Sequence, residues 1–249
     1  GATDPMVSRE LAVAAYQEAS TLQSRSVVLS ATGDPAVTAI STSAGMPALA
    51  AEPRGTHLAV GSSGGVLTIY DVSGQAPVRG ATVTVPGGGE EGLDALVWHA
   101  GPPLLAAVTS KGRGIVYDVS DISRPQSMGS FAVQTYVGGR LDIAPDGSEM
   151  LVPTETDGIR RFLLDPVNHS LAEGPAIPSD VPVTSLNYLA DGRVVTGSPQ
   201  GVLTLRGPGP AHAPLATSAL GKDRIVGVLG LEDHVFAATR GQNHAYAVP

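Results

Sequence analysis

Two carboxylates, Asp94 and Asp142, are the residues of this chain best suited to acid–base chemistry. Each lies in a short, mostly hydrophobic segment, which is typical of a β-strand. A glycosidase needs two converging carboxyl groups, one of them with a raised pKa so that it can donate a proton. We expect Asp94 at the start of its strand and Asp142 on the solvent-facing side of its strand. Aromatic residues make up only 4% of the chain and Trp98 is its one tryptophan, so no platform for stacking a sugar ring is evident.

Two glycine-rich segments match enzyme motifs in sequence but not in the structure that follows them. Residues 61–65 satisfy G-x-S-x-G around Ser63, and residues 87–92 satisfy G-x-G-x-x-G. A nucleophilic serine or a dinucleotide site requires a helix directly after the glycines. Residues 66–72 and 93–98 have the pattern of strands instead. We therefore predict a tight hairpin turn for the first segment and a loop between repeats for the second.

The remaining candidate motifs are also incomplete. Gly221-Lys222 resembles part of a phosphate-binding loop, but Asp223 follows the lysine where that loop needs Ser or Thr to hold magnesium. The six histidines do not have the spacing of metal ligands, and the chain contains no cysteine. We therefore predict no catalytic residue, no metal and no cofactor, and that the chain is not an enzyme.

Charge and composition exclude further classes. The chain has 15 Lys and Arg residues against 23 Asp and Glu residues, a formal charge of −8, and no basic cluster. Binding to nucleic-acid phosphates needs a basic face, so we exclude nucleic acid as a partner. No hydrophobic run has the length of a membrane span, so we expect no direct membrane insertion. The 31 glycines and 20 prolines in 249 residues disfavour a helical bundle and favour an all-β fold with many turns.

From residue 34 onward the sequence repeats one frame of a hydrophobic strand, a polar turn, a second hydrophobic strand, a Gly/Ser turn and an alternating strand. The centres of the second strands fall at Ala59, Ala106, Leu151, Val195 and Ala237, in steps of 47, 45, 44 and 42 residues. Periods of about 40–45 residues with four strands each are typical of β-propeller blades. The spacing therefore predicts a β-propeller.

The ends of the chain determine the predicted number of blades. The first four repeats have room for four strands each, whereas the fifth stops after three, at Pro249. Residues 35–43 alternate like a strand and are not needed by the first blade. We predict that they form the outer strand of the last blade, which makes five blades of four strands without an unpaired edge. The propeller is then expected to span residues 34–249, after an N-terminal helical segment at residues 6–33 and an expression scar at residues 1–5.

Several motifs resemble those of WD40 repeats. Asp146-Gly147 resembles the turn of such a repeat, and Tyr-Asp-Val at residues 70–72 and 117–119 resembles the strand end that gives the family its name. The Gly-His dipeptide of the family is absent and its Trp is replaced by Tyr or Leu, so this is a degenerate WD40-like propeller. Residues 8–16 and 24–31 resemble the helical lead-in to the C-terminal propeller of actinobacterial STAND-type NTPases. That resemblance implies a sensor propeller within a larger bacterial signalling protein.

We expect a non-catalytic protein-interaction or sensor module that binds a protein or peptide, in the cytoplasm. The partner is expected on what we call the hairpin-turn face, formed by the turns between the second and third strands and by the blade-to-blade loops. The alternative is a five-bladed propeller glycoside hydrolase or sugar-binding lectin, and the oligomeric state is left open. The candidate partner-binding residues on this face are Glu90, Glu91, Lys111, Arg113, Tyr136, Glu155, Asp157, Arg224, Arg240 and Asn243.

Overall fold

The computed structural model describes residues 48–249, except residues 75, 90, 100, 135, 137, 139, 157, 232–233, 241–244 and 249. The expected scar, helical segment and closing strand at residues 35–43 therefore lie outside the described residues. The chain divides into two units. One comprises residues 42–71 and 79–249 and holds the sheets discussed below. The other comprises residues 1–41 and 72–78, of which only 72–74 and 76–78 are described.

The described residues form five antiparallel sheets, named I to V in chain order. Sheet I contains β1 (Leu49–Ala51), β2 (His57–Gly61), β3 (Val66–Asp71) and β4 (Val78–Thr84). Sheet II contains β5 (Leu93–Trp98), β6 (Leu104–Thr109), β7 (Arg113–Asp118) and β8 (Gln126–Ala132). Sheet III contains β9 (Asp142–Ile143), β10 (Glu149–Pro153), β11 (Ile159–Asp165) and β12 (Ser170–Glu173). Sheet IV contains β13 (Ser185–Tyr188), β14 (Val194–Gly197), β15 (Val202–Arg206) and β16 (Pro214–Ala219), and sheet V contains β17 (Ile225–Leu231), β18 (His234–Thr239) and β19 (Ala245–Val248).

Each sheet is a meander in which consecutive strands are hydrogen-bonded neighbours. The predicted repeat of strands and turns is thereby confirmed for the described residues. A single 3-10 turn, Ser63–Gly65, is the only helical element among them, and β3 follows it directly. The segment around Ser63 is therefore a connection between two strands of one sheet, as predicted from its glycines. Residues 87–92 likewise lie in the connection between β4 and β5.

Neighbouring sheets pack face to face, and the second strand of each sheet shows this most clearly. All six residues of β6 are buried, because alternate side chains enter two different cores. Leu104 and Ala106 pack in a core shared with sheet III, whereas Leu105 and Ala107 pack in a core shared with sheet I. A continuous hydrophobic run is what a strand covered on both faces requires.

The same division continues along the chain. Met150 and Val152 of β10 face sheet II, while Leu151 faces sheet IV. In β14, Val194 packs toward sheet III and Val195 toward sheet V. The five sheets of the described chain are therefore stacked in sequence order, each joined to the next by its own apolar core.

Candidate functional site

The hairpin-turn face is built by backbone hydrogen bonds that repeat from sheet to sheet. In each case the connection that leaves a sheet bonds to the turn between that sheet's second and third strands. The bonds run from Val85 N to Gly65 O (2.8 Å), Val133 N to Gly112 O (2.8 Å), Val183 N to Thr154 O (3.2 Å) and Leu220 N to Gly201 O (2.9 Å). In sheets I to IV these turns and connections therefore lie at the same ends of the strands, which is the arrangement that the predicted face requires.

A buried carboxylate holds two exposed cations on this face. Glu91 is 4% exposed and accepts a hydrogen bond of 2.6 Å from the Thr109 hydroxyl. Lys111 Nζ lies 3.7 Å and Arg113 Nε 3.8 Å from Glu91 Oε1, with the two cationic side chains 67% and 51% exposed. Arg113 Nη1 also donates to Gly87 O at 2.9 Å. Glu91 thus orients these cations from below the surface, and Lys111 and Arg113 are the groups within reach of a partner.

Tyr136 packs beside the same turn. A Cβ atom placed on Gly112 would lie 2.8 Å from Tyr136 Cβ, so the tyrosine is in close contact with the turn between Lys111 and Arg113. The Tyr136 hydroxyl donates a hydrogen bond of 3.0 Å to Asp94 Oδ2. Burial, together with the neighbouring Asp94 carboxylate, raises the pKa of Tyr136 well above its usual value. The phenol therefore stays protonated and remains a hydrogen-bond donor.

The other predicted residues are distributed around the face. Glu155 is exposed in the turn after β10, and Arg240 is exposed after β18. The Arg240 N–H donates to Arg224 O at 2.9 Å, so these two arginines are adjacent at sheet V. Glu90, Asp157 and Asn243 lie outside the described residues. The structure thus brings Glu91, Lys111, Arg113 and Tyr136 together and places Arg224 with Arg240.

Asp94 and Asp142 line the same cavity, which we call the central cavity. It has a volume of about 400 Å³ and is bordered by the first strands of sheets I and II, by β9 and by Arg140. Trp98 forms part of its wall, and its 9% exposure places this side chain in the core, as its position in the strand predicted. The cavity contains the two acids that a hydrolase would use, but their hydrogen bonds determine what they can do.

The prediction that Asp142 faces solvent is wrong. Its side chain is 9% exposed, and Oδ2 accepts hydrogen bonds from Asn187 Nδ2 (2.6 Å) and from Tyr188 N (2.8 Å). Oδ1 accepts a third bond, of 3.0 Å, from Ile143 N. Burial raises the pKa of Asp142. The side chain turns inward because sheet IV presents donors to it, so Asp142 joins sheet III to sheet IV.

This link continues into sheet V. Asn187 Oδ1 accepts a hydrogen bond of 2.7 Å from Gly230 N. Two further side chains, one at the start of β13 and one directly before it, bond to the backbone of β17: Ser185 Oγ accepts from Val228 N at 2.9 Å, and Thr184 Oγ1 donates to Ile225 O at 2.6 Å. The inner strands of sheets III, IV and V are therefore connected by polar side chains as well as by apolar contact.

A second buried network, which the sequence analysis missed, joins sheets III and IV at the opposite face. Glu149 Oε1 accepts hydrogen bonds from the Tyr188 hydroxyl and from His212 Nε2, both at 2.8 Å. Glu149 Oε2 pairs with Arg161 Nε. His212 is 1% exposed and its Nδ1 lies 3.0 Å from Gly207 O. Both ring nitrogens thus face acceptor oxygens.

The hydrogen bonds determine the ionisation of Glu149. Burial opposes the charged form, but the bonds from His212, Tyr188 and Arg161 outweigh it and lower the pKa to about 2. The carboxylate is therefore ionised at neutral pH. The available signal in the sequence was an acid at the start of an otherwise apolar strand. Its partner His212 lies 63 residues away, in a turn whose position depends on sheet packing.

Two features are absent from the described ranges of the chain. These ranges contain no group of three or more His, Asp or Glu side chains placed to hold a metal ion. They also contain no helix with the length and hydrophobicity needed to cross a membrane.

Known structures with the same fold were found, although no protein-family model and no curated protein matches the chain. Sqt1 of Saccharomyces cerevisiae matches with a TM-score of 0.61 and 12% identity, over 81% of this chain and 61% of Sqt1. The β-propeller domain of Cps50 (Swd1) from Myceliophteria thermophila matches with a TM-score of 0.65 and 14% identity, over 82% of this chain and 66% of that domain. At these identities the likeness shows the fold alone, and the described sheets have a β-propeller fold. The chain spans less than the full length of either structure.

The Glu149 network predicts a specific dependence of stability on pH. Because the folded-state pKa of about 2 lies below the ordinary 4.5, the network stabilises the protein above pH 4.5 and loses this contribution as the pH falls toward 2. A shift of this size corresponds to about 3 kcal/mol. In urea unfolding, Glu149→Gln should therefore be less stable than the parent at pH 7, and the difference should shrink as the pH is lowered. A difference that stays constant with pH would contradict this role of the carboxylate.

Proposed function

We propose that the chain is a non-catalytic module that binds a protein or peptide through its hairpin-turn face. The observation that carries this proposal is the group of Lys111, Arg113 and Tyr136, held at the surface by the buried Glu91 and by Asp94. The WD40-like fold supports it as an analogy of fold alone.

The physical character of the group suits a protein partner. Arginine and tyrosine are enriched at the energetically dominant positions of protein interfaces. Arg113 and Tyr136 are already oriented by hydrogen bonds to Gly87 O and Asp94, so binding would immobilise them at little cost in side-chain entropy. Glu155 and Arg240 extend the face with charges of both signs, which suits a partner of mixed charge.

A pair of substitutions on each face tests the proposal. Lys111→Ala with Arg240→Ala removes two exposed cations from the hairpin-turn face, and Arg124→Ala with Arg193→Ala removes two from the opposite face. A partner captured from a lysate of the source organism, then purified, should bind the first double variant about tenfold more weakly in calorimetry, a loss typical of truncating an interface cation. Both double variants should keep the parent melting temperature, because Lys111, Arg124 and Arg240 are exposed and the side chain of Arg193 is 40% exposed in its turn.

The result that would contradict the proposal is a reversed pattern. If Arg124→Ala with Arg193→Ala abolished binding while the other pair left it unchanged, the partner would lie on the opposite face.

We further propose that the chain belongs to a larger cytoplasmic signalling protein of the STAND type, in which it acts as the sensor. The sequence resemblance of residues 8–16 and 24–31 to the lead-in of such proteins supports this, as do the WD40-like repeats. An upstream P-loop domain in the same reading frame is the expected finding.

Glycoside hydrolysis is not supported by the acids of the central cavity. Asp94 bonds to Tyr136, and both oxygens of Asp142 accept hydrogen bonds from backbone or amide groups. A retaining or inverting mechanism needs one carboxyl group free to protonate the leaving group and another free to act on the substrate or on water. The bonds of Asp142 serve the joint between sheets III and IV instead.

We propose five blades, with residues 35–43 as the outer strand beside β19. Sheet V has three strands among the described residues, whereas sheets I to IV have four each, and an unpaired strand edge promotes aggregation. Deleting residues 1–44 should therefore cause aggregation or a clear fall in melting temperature, measured by scanning calorimetry. The matched control deletes only residues 1–33 and should melt close to the parent. If the longer deletion also melts like the parent, residues 35–43 do not close the propeller.

A further inference from the structure

Two pockets lie at equivalent positions on the opposite face. The first inter-sheet pocket lies between sheets I and II and has a volume of about 440 Å³. The second lies between sheets III and IV and has a volume of about 470 Å³. Each is lined by the turn between the first two strands of one sheet, by the end of the first strand of the next sheet, and by that sheet's turn between its third and fourth strands.

Both pockets contain an aromatic ring, a histidine and a glutamate in contact. In the first, the rings of His57 and Trp98 are 6.4 Å apart, and His57 Nδ1 lies 2.9 Å from Glu52 Oε2. In the second, the rings of Tyr188 and His212 are 5.9 Å apart, and His212 Nε2 bonds to Glu149. The histidine belongs to the first sheet in one pocket and to the second sheet in the other. The same three kinds of side chain therefore meet in both pockets, although the histidine comes from a different sheet of the pair in each.

The two pockets differ in the hydrogen-bonding capacity that remains. In the second, both oxygens of Glu149 and both nitrogens of His212 are bonded to neighbouring residues. In the first, the hydrogen bonds among Glu52, Thr56 and His57 use Glu52 Oε2 and His57 Nδ1. Glu52 Oε1 and His57 Nε2 have no hydrogen-bond partner among the described residues. The side chains of Glu52 and His57 are also more exposed, at 15% and 22%. In the second pocket the hydrogen bonds of Glu149 and His212 connect two sheets and are complete. In the first pocket, Glu52 and His57 keep atoms that can bond to a ligand.

The remaining groups of the first pocket define a ligand class. The hydrogen bond from Thr56 holds the pKa of Glu52 below its usual range, so Glu52 is an ionised acceptor at neutral pH. The guanidinium of Arg54 and the hydroxyl of Ser120 add donors around it, and Ile122 with the small exposed part of Trp98 supplies apolar surface. Arg54 also lowers the pKa of Glu52 slightly through its charge, so the pocket contains charges of both signs.

We propose that the first inter-sheet pocket binds a neutral saccharide of one or two rings. A hydroxyl-rich ring pairs with donors and acceptors together while its C–H face contacts apolar side chains. A volume of about 440 Å³ lies at the small end of the range for ligand pockets. This proposal does not depend on the hairpin-turn face, because the residues that line the first inter-sheet pocket lie on the opposite face.

Trp98 provides the measurement, because it is the one tryptophan of the chain and lines the pocket. D-glucose, D-galactose, D-mannose, L-fucose and N-acetylglucosamine, with disaccharides of these sugars, are titrated while the tryptophan emission is followed. At least one sugar should produce a saturable change in emission. The absence of a saturable change with every sugar, up to its solubility limit, would overturn the proposal.

Matched variants locate the ligand, because Trp98 also borders the central cavity. Arg54 and Arg140 are both exposed arginines, the first lining the inter-sheet pocket and the second the central cavity. Arg54→Ala should weaken sugar binding about tenfold, as expected for loss of a charged hydrogen bond, and Arg140→Ala should not change it. Glu52→Gln should also weaken sugar binding. If Glu52→Gln fails to fold, the result for Arg54→Ala alone decides whether the sugar binds in this pocket. Loss of the response in Arg140→Ala alone, or in neither arginine variant, would overturn the assignment.

Discussion

The fold depends on how one sheet is fixed against the next, and a buried carboxylate supplies the most directional of these contacts. Asp142 accepts two hydrogen bonds from sheet IV, and Asn187 of that sheet accepts one from sheet V. Apolar burial drives the sheets together but is non-directional. Hydrogen bonds between buried groups require a specific distance and angle, and leaving one of these groups unpaired is costly. The polar contacts therefore set the positions at which the apolar faces pack.

The two faces of the molecule follow from this fixed stacking. Once the strands are in place, the hairpin turns lie at one end and hold Lys111 and Arg113 over the buried Glu91. At the other end the turns enclose pockets between sheets. One pocket is closed by the saturated network of Glu149 and His212, and the other keeps bonding capacity at Glu52. Both faces thus contain buried acids whose partners come from other strands or turns.

The sequence predicted the strands better than it predicted their surroundings. Strand order and the connections around Ser63 followed from local patterns, since hydrophobic runs and glycine turns act over a few residues. The environment of Asp142 did not, because its donors come from Asn187 and Tyr188, more than forty positions later. Glu149 and His212 meet for the same reason across a sheet boundary. Contacts between repeats depend on how the repeats stack, which a local pattern does not specify.

A double-mutant cycle on Asp142 and Asn187 tests most directly whether polar contacts fix the sheets. The free energy of unfolding in urea is measured for the parent, Asp142→Ala, Asn187→Ala and the double variant. The hydrogen bond that Asn187 Oδ1 accepts from Gly230 N is lost in both variants that change Asn187, so it cancels from the coupling. We predict a coupling energy of about 1 kcal/mol or more between the two side chains. Single effects that add to the double effect within about 0.3 kcal/mol would show that the bond between these two side chains does not fix the sheets, which would contradict this account.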